Sequence, residues 1–117
     1  MTELFVIAEA GVNHNGDSAL ALELVDVAAE SGADAVKFQT FRAEALVASS
    51  TPMAEYQRRN LGHDVSQQEM LRGLELSRET HYLLKERADA RDIQFLSTPF
   101  DMQSLNFLVR ELGMSTI

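Results

Sequence analysis

Leu4-Phe5-Val6-Ile7-Ala8-Glu9-Ala10-Gly11-Val12-Asn13-His14-Asn15-Gly16 is the stretch that decides how this chain folds. Leu4 to Ala8 is apolar without polar alternation, so residues 4–9 read as a strand covered on both faces, as the strands of a parallel sheet are. Glu9, Asn13 and His14 then fall where that strand gives way to a turn. Asn15-Gly16 favours the positive-φ geometry of such a turn. Two later stretches behave alike: Ala35-Val36-Lys37-Phe38-Gln39-Thr40 and Ile93-Gln94-Phe95-Leu96-Ser97-Thr98 are apolar runs that end in polar groups. With parallel strands, Glu9, Lys37 and Thr98 meet at one rim, which is where parallel α/β proteins build their sites.

Between these strands the pattern is helical. Asp17 or Ser18 can cap a helix carrying Leu20, Leu22, Leu24, Val25, Val27 and Ala28, with Gly32 just past its end. Strand, helix and strand make a βαβ unit. Residues 41–65 show neither pattern, contain Pro52 and Arg58-Arg59, and are expected to form a long loop, functional or disordered. Ser66-Gln67-Gln68-Glu69 matches a capping box that opens a helix through Leu74. Ser77 caps the next helix, with Tyr82, Leu83, Leu84 and Ala88 on its buried side. Asp101 caps a helix bearing Leu105, Phe107, Leu108 and Leu112, which Gly113 stops, and Phe100 is assigned to the core. Met114 to Ile117 looks like the approach to a fourth strand.

The class is therefore α/β with parallel βα units, either a piece of an open sheet or of a (β/α)₈ barrel. A barrel takes about 250 residues, and this chain has 117, so it would be less than half of one. The absence of cysteine excludes disulfides and Cys-based zinc sites. A net charge of −8 argues against nucleic-acid and anionic-membrane partners. No apolar run approaches the roughly 20 residues of a bilayer span, and the start has no basic leader region. The expectation is a cytoplasmic protein acting on small molecules.

Each rim residue has two readings. A lysine within Val36-Lys37-Phe38 is costly unless its head finds a partner. At the strand end it can bind a phosphate or carboxylate, or it can balance Glu9 or Asp34. Glu9 can accept hydrogen bonds from a sugar hydroxyl or a metal-bound water, or pair with Lys37, and the two are compatible. Gln39, Thr40, Ser97 and Thr98 suit an anionic ligand held by neutral hydrogen bonds, while Thr98-Pro99 also suits a plain strand end. His14 can brace the loop or touch a ligand. With no HxH or HExxH spacing, it is weak grounds for a metal site.

Three motifs stand together in order. Ala8 to Gly16, Val36-Lys37-Phe38-Gln39-Thr40-Phe41, and Phe95-Leu96-Ser97-Thr98-Pro99-Phe100-Asp101 resemble the N-terminal half of the sialic acid synthase family, the synthases of N-acetylneuraminate, legionaminate and pseudaminate. Ala54-Glu55-Tyr56-Gln57, Ser66 to Leu71 and Leu74-Glu75-Leu76-Ser77 add to the likeness, which runs over nearly the whole chain.

The resemblance implies the first part of a TIM (β/α)₈ barrel, with residues 1–117 a single partial domain lacking the family's antifreeze-like C-terminal domain. It implies condensation of phosphoenolpyruvate with an N-acetylmannosamine-type sugar, with release of phosphate. A divalent metal, manganese or magnesium, polarises the sugar aldehyde in that family, and its histidine ligands lie in strands outside this chain, so none is assigned here. By the same resemblance Glu9 and Lys37 are catalytic, Glu9 helping to hold the sugar and its metal-activated oxygen. Gln39, Thr98 and Asn13 are substrate-binding, and Tyr56 and Gln57 belong to a sugar-binding lid. A chain with unpaired barrel edges is expected to be inactive alone and could oligomerise to cover them. The alternative is a truncated, non-catalytic binding or assembly module derived from that barrel.

Overall fold

The computed structural model describes residues 4–49 and 64–117, except for the side chains of 47–49 and 64–67. Three strands, β1 (Ile7–Gly11), β2 (Ala35–Thr40) and β3 (Gln94–Pro99), form a sheet in that order, with both neighbouring pairs parallel. Around them lie α1 (Ser18–Glu30), α2 (Ala43–Ser49), α3 (Asp64–Leu74), α4 (Arg78–Ala90) and the short α5 (Met102–Asn106). α5 runs into a π-helical turn over Phe107–Glu111.

The sheet's two faces follow from its register. Ala8, Val36 and Phe95 stand side by side and share one core with Ala10 and Phe38. Onto that face pack Ala21, Val25 and Ala28 of α1, Leu84 and Ala88 of α4, and Phe107, Leu108, Leu112 and Met114. Phe38 is completely buried, 5.8 Å from the Phe95 ring. Glu9 and Lys37 are paired in register, as are Gln39 and Thr98. These residues belong to the opposite face by the period of two.

Local chemistry ends each helix where the sequence indicates. Asp17 accepts from the N–H groups of Ala19 and Leu20, Ser77 from Thr80, and Asp101 from Ser104. Gly32 and Gly113 take the positive φ of residues that follow a helix. Arg87 and Arg91 of α4 reach Asp26 of α1 at 2.6 and 3.4 Å, tying the two helices along their outer edge.

Several expectations need correction. The first strand begins at Ile7, and the apolar run before it is not covered: Leu4, Phe5, Val6 and Ile7 are 81, 58, 50 and 46% exposed. β1 bonds only to β2 in the described sheet, so its outer flank has no neighbour there. Within 41–65, residues Ala43–Ser49 are a helix, started by Glu75, whose carboxylate accepts from the Ala43 N–H at 2.7 Å. α3 starts at Asp64, ahead of the Ser66 capping box.

Some burial assignments also change. Val27, Tyr82 and Leu83 are largely exposed, while Thr80 and His81 are buried alongside Leu84 and Ala88. The wide apolar stripe was thus broader than the face that packs. Phe100 is half-exposed rather than core, because it follows Pro99 at the end of β3 and leaves the sheet there. The last helix changes pitch at Phe107. An N–H from Leu112 reaches the Phe107 carbonyl at 3.0 Å, setting Leu112 above Phe107 on the core side.

Candidate functional site

The carboxyl ends of the strands enclose a cleft of about 400 Å³, lined by Glu9, Ala10, Gly11, Val12, Asn13, Lys37, Gln39, Thr98 and Phe100. Five of the seven residues that the family resemblance assigns to catalysis or binding (Glu9, Lys37, Gln39, Thr98 and Asn13) therefore meet in one place. Tyr56 and Gln57 lie outside the described residues.

Lys37 Nζ stands 3.2 Å from Glu9 Oε2, with both side chains well hydrated at 35 and 52% exposure. The pair resolves one open question: Lys37 balances Glu9 and not Asp34, whose carboxylate instead accepts from the Val6 N–H at 2.7 Å. An exposed pair of this kind contributes little to stability, about 0–1 kcal/mol. Both heads stay accessible from the cleft.

Gly11 shapes this pair's surroundings. The β1–β2 register slips between Glu9 and Gly11, a bulge at the end of the strand. Gly11 sits there at φ +55, and a methyl group on it would lie 3.3 Å from the Glu9 carboxylate and 3.6 Å from the Gln39 amide. Its missing side chain lets those two groups share the mouth. A glycine immediately after an apolar run was the available signal.

His14 turns out to brace the loop. Its ring is buried against Phe38, 6.1 Å between centroids, and its Nδ1 accepts from the Gly16 N–H at 2.8 Å. Nδ1 is thus unprotonated and Nε2 carries the ring proton, yet Nε2 has no hydrogen-bond partner among the described residues. Burial, and next to it His81, hold the His14 pKa below its ordinary 6.5, while the Gly11 backbone pulls the other way. Asn15-Gly16 forms the expected turn, with φ +54 and +78.

Thr40 and Ser97 do not join the cleft. Both point to the helix side, where Thr40 Oγ1 lies 2.6 Å from Ser97 Oγ and 2.8 Å from His81 Nε2. One residue of alternation separates them from Gln39 and Thr98, and that parity was readable in the sequence. A smaller hollow of about 260 Å³ lies on this side, between Thr40, Arg42, Ser77, His81 and Ser104. Its neighbouring cations are already paired, Arg42 with Glu44 at 2.8 Å and Arg78 with Glu111 at 3.4 Å. Lys37 is paired as well, so the strand-end mouth is the better candidate on other grounds: it is the larger of the two, and it gathers Lys37, Gln39, Thr98 and Asn13 at the carboxyl ends of the strands.

Among the described residues no group of three or more His, Asp or Glu side chains is placed to hold a metal ion. Glu9 is the one carboxylate lining the cleft, and a single carboxylate is not a ligand set for a divalent ion. No helix among the described residues is long and apolar enough to cross a membrane.

Parallel βα units with a polar mouth at the strand ends define the class: a part of a TIM (β/α)₈ barrel. Comparison with known proteins makes that specific. Residues 24–117 match the model of the NeuB family, and the chain belongs to that family. It is 60% identical over 113 residues to the N,N'-diacetyllegionaminic acid synthase of Legionella pneumophila, covering 97% of this chain and 32% of that one. The Campylobacter jejuni protein of the same name is 46% identical over 114 residues, covering 97% of this chain and 34% of that one. The crystal structure of an N-acetylneuraminic acid synthetase from Leptospira borgpetersenii, in complex with citrate, superposes with a TM-score of 0.74 at 34% identity. That superposition covers 97% of this chain and 34% of the other. This chain spans about a third of the length of the relatives it matches.

Proposed function

We propose that this chain supplies the first three strand ends of a sugar-acid synthase site, which condenses phosphoenolpyruvate with an N-acetylmannosamine-type sugar. The observation that carries the reading is the convergence of Glu9, Lys37, Gln39 and Thr98 in one cleft. Membership of a family whose relatives are named as legionaminic and pseudaminic acid synthases supports it. Residues 1–117 then form one partial domain of that barrel, working in the cytoplasm.

The chemistry assigns a role to each side chain. The reaction joins C3 of phosphoenolpyruvate to the aldehyde carbon of the open-chain sugar. Water adds at C2, and inorganic phosphate leaves with cleavage of the C–O bond, so the atoms balance without an oxidant or reductant. The Lys37 ammonium offers a point charge to the phosphate or carboxylate of the anion. Thr98 and Gln39, side by side in register, offer neutral hydrogen bonds that orient it. Glu9 accepts from a sugar hydroxyl, and Lys37 at 3.2 Å holds that carboxylate toward the cleft. Asn13 and Phe100 border the sugar's side of the mouth. The divalent ion implied by the resemblance would polarise the aldehyde. We assign its ligands to residues outside this chain.

The test is phosphate release by the complete gene product, incubated with phosphoenolpyruvate, an N-acetylated mannosamine and manganese. Release that requires both substrates, and that falls at least about a hundredfold in Lys37→Met, supports the reading. Undiminished release in Lys37→Met contradicts it.

A further inference from the structure

The helix side of the sheet carries a continuous hydrogen-bond chain that ends directly behind the cleft. His81 Nδ1 lies 2.7 Å from the Ser77 carbonyl oxygen, which can only accept, so Nδ1 carries the proton. Nε2 of the neutral ring must then accept, and its partner is the Thr40 hydroxyl at 2.8 Å. Thr40 has now donated its one proton, so at 2.6 Å it accepts from Ser97. For the neutral ring the order follows: Ser97 donates to Thr40, Thr40 to His81, and His81 to Ser77. His81 is 2% exposed and Ser97 fully buried, so a lost partner here is costly.

This chain links α4 to the two strand ends that carry the cleft's neutral hydrogen-bonding groups. Thr40 adjoins Gln39 at the end of β2, and Ser97 adjoins Thr98 on β3. We propose that His81 is a positioning residue for the cleft: through Thr40 and Ser97 it fixes the spacing of β2 and β3 beneath Gln39 and Thr98. The proposal rests on the synthase reading for its consequence, although not for its geometry.

A charged imidazole cannot keep this order. With both ring nitrogens protonated, Nε2 must donate to Thr40, and the Thr40 proton must turn to Ser97 or to a new acceptor. Acid thereby reverses the Thr40–His81 bond and redirects the hydroxyl protons behind the mouth. Burial is the largest influence on the His81 pKa and keeps it below 6.5, opposed by the Ser77 carbonyl and by Glu75. Other groups face the same region. His14 from the β1–α1 loop interacts with it electrostatically, Arg42 borders the adjoining hollow, and Arg78 lies over the Phe107 ring whose edge meets His81.

The test is an NMR pH titration of the complete gene product, following the His81 ring and the backbone amides of Gln39 and Thr98, together with phosphoenolpyruvate affinity by calorimetry. In the wild-type chain both amides should shift with the midpoint of His81. Thr40→Val should abolish that dependence at both, and Thr40→Ser should restore it. Ser97→Ala, which cuts only the far branch, should free Thr98 and leave Gln39 following His81. This second variant keeps the test open if Thr40→Val fails to fold. Phosphoenolpyruvate affinity should drop roughly tenfold in Thr40→Val, from misplacement of groups that themselves remain. Amides indifferent to the His81 titration in the wild type overturn the proposal, as does unchanged affinity in a Thr40→Val protein that has lost the coupling. Intact coupling with no affinity in the wild type contradicts the synthase reading and leaves the positioning role supported.

Discussion

The two faces of the three-stranded sheet use the same residues in alternation and to opposite ends. On the helix side, Val36, Phe38, Phe95 and Ser97 are almost completely removed from water. On the other side, the partners one step along the chain are Lys37, Gln39 and Thr98, and these remain partly hydrated around a cleft. The packed face is where stability resides, and the open face is where the proposed site lies. A single residue of parity decides which task a position takes.

Substitution of neighbours across that divide should show the contrast most strongly. Phe38→Ala removes a ring stacked on His14 and tilted against Phe95 and should cost about 3–5 kcal/mol in urea denaturation. Lys37→Met, one residue earlier, should change stability by less than about 1 kcal/mol while abolishing phosphoenolpyruvate binding. Equal losses of stability at the two positions would erase the distinction between the faces. Next in size comes the turn below the mouth. At Gly16, with φ +78, an added methyl carbon would stand 1.8 Å from the Gly73 carbonyl oxygen. Gly16→Ala must therefore push the β1–α1 loop away from the end of α3, and a loss of about 1–3 kcal/mol is expected by thermal unfolding.

Smaller effects sharpen the same picture. Asp101 accepts from the N–H groups of Ser104 at 2.7 Å and of Arg42 at 2.8 Å, joining the start of α5 to the segment after β2. Asp101→Ala should cost about 1–2 kcal/mol, where a cap with a single bond would cost less. Acid should weaken the packed face specifically. His14 and His81 both have lowered pKa values in the folded protein, chiefly from burial. Above about 6.5 both states of the chain hold these rings neutral, so their full contribution is present. As pH falls below 6.5 the unfolded chain takes up protons that the folded one resists, and stability declines until the lowered pKa values are passed. Urea midpoints measured from pH 7.5 to 5 should fall, and His81→Gln should flatten the slope. Least of all, Glu9→Gln should leave the unfolding midpoint nearly unchanged, because the ion pair it breaks is exposed.

The sequence made the parallel class, the three strand ends and the caps at Asp17, Ser77 and Asp101 legible, since each depends on local pattern or on a single side chain. The convergence of Glu9, Lys37, Gln39 and Thr98 followed from assuming parallel strands. Tertiary context hid the remainder. Leu4 to Ile7 reads as a covered strand because composition records apolarity and not which flank has a neighbour. Ala43–Ser49 escaped notice because the group that starts it, Glu75, lies 32 residues away in sequence. The pairing of Thr40 and Ser97 with His81 joins three elements, and no local spacing announces it. Thr40 and Ser97 resemble ligand groups by composition alone, and the alternation of side chains along β2 and β3 is what turns them to the helix side.

The most direct test of the central claim is a titration of the complete gene product with phosphoenolpyruvate, followed by amide NMR. Saturable shifts centred on Lys37, Gln39 and Thr98, lost in Lys37→Met, are the predicted result. Saturable binding whose shifts cluster on the helix side around Arg42 and Arg78, with Lys37 and Thr98 unmoved, would contradict it.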